Sequence, residues 1–240
     1  MQLFIDTGSV AEVEEVAGWG VLSGATTNPT LLAQGDDAPE VAVHRICELV
    51  AGPVSAEVVA DDAAEMIAQG RALARLHEHV VVKVPFGAAG LAAASALAGE
   101  GVGVNMTLVF SPTQALLAAE AGARYISCFM GRLDDISVSS EEVLAAIIST
   151  LRPPSGARSA LAGSAQVLAA SIRHPGHVIA AARLGCDVAT VPAKVLRQML
   201  AHPLTSAGIE RFNADWQARP ELSQWMSQLL AGAEPLAAAR

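Results

Sequence analysis

The chain has 240 residues, of which 52% are hydrophobic, 16% are charged and 4% are aromatic. This composition excludes a disordered chain, which has few apolar residues and many charges. The net charge of −9 argues against the basic surface that nucleic-acid binding requires. The chain also lacks the run of about 20 predominantly apolar residues that a membrane-spanning helix needs.

Apolar runs of strand length alternate with segments of helical period along most of the chain. The predicted strands are Gln2–Asp6, Leu22–Thr26, Val54–Val59, Val80–Val84, Val104–Leu108, Tyr125–Phe129, Gln166–Ser171 and Asp187–Val191. The predicted helices are Val10–Ala17, Ala38–Val50, Ala63–His77, Leu91–Ala98, Pro112–Ala121, Glu141–Leu151, His177–Ala182 and Ala193–Leu200.

Eight strand and helix pairs predict a closed (β/α)8 barrel. Strands such as VVVKV are apolar on both faces, as parallel strands covered by helices are. A barrel of about 250 residues forms one domain, so we expect residues 1–240 to be a single domain with a surface loop at Arg152–Ser164. Apolar residues at helical spacing predict an appended helix at about 205–230, packed on its own barrel or on a neighbouring subunit.

The cellular setting is also predicted. The first residues, MQLFIDTG, lack the basic region of a secretory signal, which favours a cytoplasmic protein. The three cysteines, Cys47, Cys128 and Cys186, have no metal-ligand spacing and are predicted to be buried, reduced thiols.

Polar residues stand at or just after the ends of several otherwise apolar strands. Barrel enzymes carry their catalytic groups at the carboxyl ends of the strands, so these residues are the candidates for chemistry. They are Asp6, Thr26, Thr27, Asn28, Glu57, Lys83, Asn105, Thr107, Arg132, Ser171 and Arg173.

Lys83 is the strongest candidate, because lysine is rarely buried without a partner. Desolvation favours the neutral amine, which attacks carbonyl groups to form a Schiff base. Asp6 and Glu57 would supply proton donors and acceptors for such a reaction, although their negative charge favours the ammonium. An ion-paired lysine at a strand end is the alternative interpretation.

Because the chain is acidic overall, it can bind an anionic substrate only where basic side chains cluster locally. Arg132, Ser171 and Arg173 form one, since guanidinium groups bind phosphate in a bidentate way and a hydroxyl adds a donor. Ion pairs with Asp134 and Asp135 are the alternative for the two arginines. The histidine pairs His77/His79 and His174/His177 have no carboxylate at metal spacing, so we predict no metal site.

Eight segments of the chain resemble, in order from residue 1 to 217, the small transaldolases that form one family with fructose-6-phosphate aldolase. The segments are FIDT, GATTNPTLL, SAEVV, VVKVP, NMTLVFSPTQALLAAEAGA, GRLDD, AASIRHP and HPLTSAGIERFNADW. The family is a (β/α)8 barrel, and no cofactor is implied.

The resemblance implies a role for each candidate. Lys83 would be the Schiff-base nucleophile, Asp6 the acid/base that takes the C4 hydroxyl proton, and Glu57 with Thr107 would position a water. The implied substrate-binding residues are Thr26, Asn28, Asn105, Phe129, Arg132, Ser171 and Arg173, the last three at the phosphate.

The implied activity is that of a transaldolase of the pentose phosphate pathway. It would move a dihydroxyacetone unit from sedoheptulose 7-phosphate to glyceraldehyde 3-phosphate, giving erythrose 4-phosphate and fructose 6-phosphate. Glu57 and Phe129 favour this branch, since the resemblance implies that the aldolase branch carries Gln and Tyr at these two positions. Fructose-6-phosphate aldolase is the alternative, and a non-catalytic sugar-phosphate-binding barrel is a distant one. By the same analogy we expect a homo-oligomer, a decamer.

Overall fold

The computed structural model of the chain describes residues 1–152 and 165–232. Eight parallel strands pair in chain order, and the last pairs with the first, which closes a barrel. The strands are β1 (Gln2–Asp6), β2 (Gly24–Thr26), β3 (Val54–Glu57), β4 (Val80–Pro85), β5 (Val104–Val109), β6 (Tyr125–Phe129), β7 (Gln166–Ala170) and β8 (Val188–Val191). The predicted (β/α)8 barrel is confirmed.

Helices connect the strands and follow the last of them. They are α1 (Val10–Ala17), α2 (Pro29–Leu32), α3 (Pro39–Val50), α4 (Ala63–Ala74), α5 (Ala88–Gly99), α6 (Pro112–Glu120), α7 (Met130–Asp135), α8 (Ser140–Leu151), α9 (Pro175–Arg183), α10 (Ala193–Leu200), α11 (Pro203–Gln217) and α12 (Pro220–Gly232). The sequence pattern missed α2 and α7, because helices of one turn or slightly more show no apolar period.

Alternation along the strands divides the buried side chains into two clusters. On β4, Val82 and Val84 belong to the large cluster between strands and helices, whereas Val81 belongs to a small cluster with Phe4 and Tyr125. The rings of Phe4 and Tyr125 meet edge to face at 5.9 Å between centroids. These large side chains fill the inside of the barrel below the carboxyl ends of the strands.

The chain divides into two compact units. Residue contacts place the first at 1–198 and the second from residue 199 onward. The single helix expected at about 205–230 is two helices, α11 and α12, because Pro220 starts a new helix and cannot continue the previous one. The rings of Trp216 and Trp225 lie 6.4 Å apart.

Two other expectations concern the loop and the thiols. Apart from Arg152, the surface loop predicted at Arg152–Ser164 lies outside the described residues. Cys47, Cys128 and Cys186 are buried and free, as predicted. Burial raises the pKa of their thiols to about 11, 12 and 11 respectively, so all three are protonated at neutral pH.

A membrane-spanning helix needs both length and apolar character. Within residues 1–152 and 165–232, every helix is too short or too polar to cross a bilayer.

Candidate active site

Lys83 lies in the middle of a set of polar groups at the carboxyl ends of the strands. Its side chain is buried, with 5% of the residue exposed. The amine Nζ donates to the backbone oxygen of Thr27 at 3.0 Å and lies 3.0 Å from Oε2 of Glu57. Glu57 and Lys83 are register partners on β3 and β4, so strand pairing itself sets this contact.

Asp6 approaches the same place from β1. Its Oδ1 accepts a hydrogen bond from Thr26 at 2.7 Å, and the hydroxyls of Thr26 and Thr190 also lie 2.7 Å apart. Burial raises the pKa of Asp6, against the opposing effects of the Thr26 hydrogen bond and the positive charge of Lys83. Such a carboxyl group is suited to hold and return a proton during a reaction.

A cavity of about 170 Å³ joins these groups. Its lining residues come from the carboxyl ends of several strands and from the segments that follow them. They are Asp6, Thr26, Asn28, Lys83, Ser127, Phe129, Arg132, Ala170, Ser171 and Thr190. The cavity therefore unites a buried amine, a carboxyl group and a guanidinium group in one space.

Glu57 and Thr107, which the sequence predicts to act together on a water, do not line this cavity. Glu57 contacts the Lys83 amine from one side and lines a second, mainly apolar cavity of about 370 Å³ on the other. The hydroxyl oxygen of Thr107 is buried and has no hydrogen-bond partner among the described residues. Buried polar atoms without a partner are rare in folded proteins.

Asn105, which the resemblance implies is a substrate-binding residue, does not line the cavity. It is fully buried, its Nδ2 donates to the hydroxyl of Ser55 at 2.9 Å, and its Oδ1 accepts from the hydroxyl of Ser127 at 2.7 Å. Ser127 lines the cavity above it. Through this contact, Asn105 fixes the hydroxyl of Ser127.

Asn28 and Phe129 both line the cavity. The Oδ1 of Asn28 caps α2 by accepting the N–H of Leu31 at 2.9 Å, which leaves its Nδ2 group available to a ligand. The ring of Phe129 meets the ring of Phe110 edge to face, with centroids 5.9 Å apart. Phe129 gives the cavity an apolar wall without a proton donor.

The predicted phosphate-binding residues divide into two groups. Arg132 on α7 and Ser171 after β7 line the cavity. Arg173 does not line it, because its guanidinium group donates to the carboxylate of Asp135. In this structure Arg173 therefore forms the ion pair with Asp135 that was the alternative to phosphate binding.

Sequence reasoning missed Ser127 and Thr190 as lining residues. Ser127 is two residues before Phe129 on β6 and therefore shares its face of the strand. Thr190 is a polar residue in an otherwise apolar strand, VATV. Both signals were present in the sequence. In the part of the chain that the structure describes, no three His, Cys, Asp or Glu side chains are placed to hold a metal ion.

Solved structures resemble this barrel at low sequence identity. A structure described as "Native KDPGal structure" has a TM-score of 0.55 at 16% identity, covering 79% of this chain and 84% of that one. A designed, cube-shaped protein cage gives a TM-score of 0.58 at 13% identity, covering 96% of this chain and 82% of the other. These likenesses concern the fold alone.

Sequence comparisons identify the family. Proteins named "Probable transaldolase" from Caldicellulosiruptor saccharolyticus and Moorella thermoacetica are 49% and 50% identical to this chain. The matches cover 92% and 90% of this chain and 99% and 98% of those proteins. The family profile described as "Transaldolase/Fructose-6-phosphate aldolase" matches residues 3–231. The chain therefore belongs to the transaldolase/fructose-6-phosphate aldolase family.

Proposed function

We propose that the protein is a transaldolase that moves a dihydroxyacetone unit from sedoheptulose 7-phosphate to glyceraldehyde 3-phosphate through a Schiff base on Lys83. The observation that carries this proposal is the buried amine of Lys83, 3.0 Å from the carboxylate of Glu57, at the wall of a cavity that Asp6 also lines. The names of the relatives and the family match support the same activity.

Imine formation begins with a proton transfer. Glu57 accepts a proton from the Lys83 ammonium, directly or through a water beside Thr107, and the neutral amine attacks C2 of the ketose phosphate. The carbinolamine then loses its hydroxyl group as water, and Glu57 returns the proton that this departure needs. The nitrogen of Lys83 ends in a protonated double bond to C2.

Bond cleavage uses Asp6. Its carboxylate takes the proton of the C4 hydroxyl, the C3–C4 bond breaks, and its electron pair forms the enamine between C3 and C2. The aldose phosphate leaves. When the acceptor aldehyde binds, C3 attacks its carbonyl carbon and Asp6 gives the proton back to the new hydroxyl. Water then hydrolyses the imine and releases the new ketose phosphate.

Glu57 and Phe129 favour transfer over release. The enamine survives until an acceptor arrives only if no donor protonates C3 first. Phe129 lines the cavity with an apolar ring, and the resemblance implies that the aldolase branch carries a tyrosine at this position. The family description also covers fructose-6-phosphate aldolase. An aldolase would release free dihydroxyacetone and would need no acceptor aldehyde.

The test is the formation of glyceraldehyde 3-phosphate from fructose 6-phosphate in metal-free buffer, with and without erythrose 4-phosphate. We expect product only when erythrose 4-phosphate is present. Product without the acceptor would make the protein an aldolase and would show that Glu57 and Phe129 do not decide between the branches. No product in either arm would favour a non-catalytic sugar-phosphate-binding barrel.

We also propose that the enzyme acts in the cytoplasm, within the pentose phosphate pathway, as a homo-oligomer of decamer size. The C-terminal unit supports assembly, because Leu204, Phe212 and Leu230 are 76%, 69% and 72% exposed and exposed apolar side chains mark interaction surfaces. Light scattering on the purified protein measures its mass, and a monomeric mass would contradict the proposal.

A further inference from the structure

The segment that carries Ser171 and Arg173 has a strained start. Ser171 has a φ of 56°, in the left-handed region that residues other than glycine rarely adopt. Such a conformation persists only where the surrounding structure fixes it. The placement of Ser171 at the cavity therefore depends on contacts that hold this segment in position.

Two contacts hold it, one at each end. The N–H of Gly131 donates to the backbone oxygen of Ser171 at 3.1 Å, and a Cβ at position 131 would lie only 2.4 Å from that oxygen. At the other end, the N–H of Arg173 donates to Nδ1 of His177 at 3.4 Å. The first contact needs a glycine, and the second needs a neutral imidazole.

The surroundings of His177 define its tautomer. Because Nδ1 accepts a hydrogen bond, Nε2 carries the hydrogen, and Nε2 lies 2.9 Å from Oδ2 of Asp134. Asp134 is itself held by the N–H and hydroxyl of Ser140, at 3.2 and 3.1 Å. A chain of hydrogen bonds thus runs from α8 through α7 and α9 to the segment after β7.

Burial is the main reason that the ring of His177 is neutral. Burial lowers the pKa of His177, and His174, whose ring centroid is 3.9 Å away, and Arg173 act in the same direction, while Asp134 opposes them. At neutral pH the ring therefore has a free lone pair on Nδ1 for the N–H of Arg173. The sequence alone presented His174 and His177 only as a pair without metal spacing.

We propose that His177 is a positioning residue for the phosphate end of the active site. It orients the Ser171–Arg173 segment through Nδ1 and is itself oriented by Asp134. This inference rests on the proposed function and on the expectation that the substrate phosphate binds at Arg132 and Ser171, which line the cavity, with Arg173 beside them in the sequence. His177 does not line the cavity, so its effect reaches the substrate through the backbone of Arg173.

Two isosteric substitutions separate the nitrogens of His177. In His177→Asn, the side-chain oxygen takes the place of Nδ1 and still accepts the N–H of Arg173. In His177→Gln, the amide nitrogen takes the place of Nε2 and still donates to Asp134, but the acceptor for Arg173 is lost. Sulfate is the probe, since it is a tetrahedral dianion at neutral pH, and titration calorimetry measures its affinity.

We expect His177→Asn to bind sulfate as the wild type does, and His177→Gln to bind it about fivefold more weakly, as the loss of one hydrogen bond predicts. The KM for fructose 6-phosphate should follow the sulfate affinity, with little change in kcat. His174→Gln is the matched control, because His174 lies beside His177 on the same segment and accepts no hydrogen bond from Arg173; it should behave as the wild type.

Equal affinities in the Asn and Gln variants would overturn the proposal, and so would a change in kcat without a change in KM. If the Gln variant does not fold, His177→Leu carries the same expectation of weaker sulfate binding, because it also removes the acceptor for the N–H of Arg173. If the sulfate affinities rank as expected but the wild type makes no glyceraldehyde 3-phosphate, the proposed function is refuted. The role of His177 in anion binding then still stands.

Discussion

Nζ of Lys83 and Oε2 of Glu57 lie 3.0 Å apart on neighbouring strands, and only 7% and 16% of their side chains are exposed. This buried pair serves two purposes in the proposed reaction. It pairs two groups that are both removed from solvent, and it places a proton acceptor at the amine that has to become neutral. The first two predictions follow from these two purposes.

Borohydride reduction in the presence of fructose 6-phosphate should attach the substrate to Lys83. Lys83 and Lys194 are the lysines of this sequence, and Lys194 is exposed on α10, which provides a matched control. We expect Lys83→Met to abolish the mass increase that mass spectrometry measures after trapping, and Lys194→Arg to retain it. Trapping that persists in Lys83→Met would contradict the Schiff base at Lys83.

Loss of Lys83 should also destabilise the fold. Lys83→Met leaves the buried carboxylate of Glu57 without its cation, and breaking a buried pair in this way costs about 3–5 kcal/mol of unfolding free energy. The double variant Lys83→Met/Glu57→Gln removes both charges and should recover most of that loss. Urea unfolding at pH 7 measures the difference. A double variant no more stable than Lys83→Met would show that the unpaired charge is not the cause.

Much of this site follows from the sequence, because the carboxyl ends of parallel strands meet at one edge of a barrel. Lys83, Asp6 and Arg132 were identifiable as polar groups in or after apolar strands. The position of Asn105 relative to Ser127, and of Arg173 relative to Asp135, could not be predicted. Both positions depend on side-chain contacts between segments that are distant in the chain. Alternation along a strand predicts which face a residue lies on, but it does not predict how far along the barrel axis its side chain lies.

Asp6→Asn should trade activity for stability. Because folding raises the pKa of Asp6 above its ordinary value of 3.8, ionisation of this carboxyl group destabilises the folded state as pH rises through the folded pKa. The asparagine keeps an acceptor for Thr26 and carries no charge. We therefore expect a higher Tm than wild type at pH 7.5, little difference near pH 3.5, and a loss of turnover of about 100-fold or more.

Calorimetric scans at the two pH values and the fructose 6-phosphate assay measure these effects. Asp36→Asn removes an exposed carboxyl group and is the control, with activity and Tm close to wild type. A lower Tm for Asp6→Asn at pH 7.5 would contradict the burial cost at Asp6.

Arg132 and Arg173 should contribute unequally to phosphate binding. Arg132 lines the cavity, whereas the guanidinium group of Arg173 is bound to Asp135. We expect Arg132→Ala to raise the KM for fructose 6-phosphate by roughly 10- to 100-fold, as the loss of a charged hydrogen bond predicts, and Arg173→Ala to raise it less. Steady-state kinetics measures both values. A larger effect at Arg173 would mean that it leaves Asp135 when the substrate binds.

Phe129→Tyr should shift the enzyme from transfer toward release. The ring lines the cavity beside the proposed enamine, and a hydroxyl on it would offer a proton to C3 before an acceptor aldehyde arrives. We expect glyceraldehyde 3-phosphate to form from fructose 6-phosphate without erythrose 4-phosphate in this variant, with free dihydroxyacetone as the second product. Phe110→Tyr is the matched control, since Phe110 contacts the ring of Phe129 without lining the cavity. It should remain dependent on the acceptor. If Phe129→Tyr stays equally dependent, the phenylalanine is not what protects the enamine, and Glu57 is the remaining difference that we expect between the two branches.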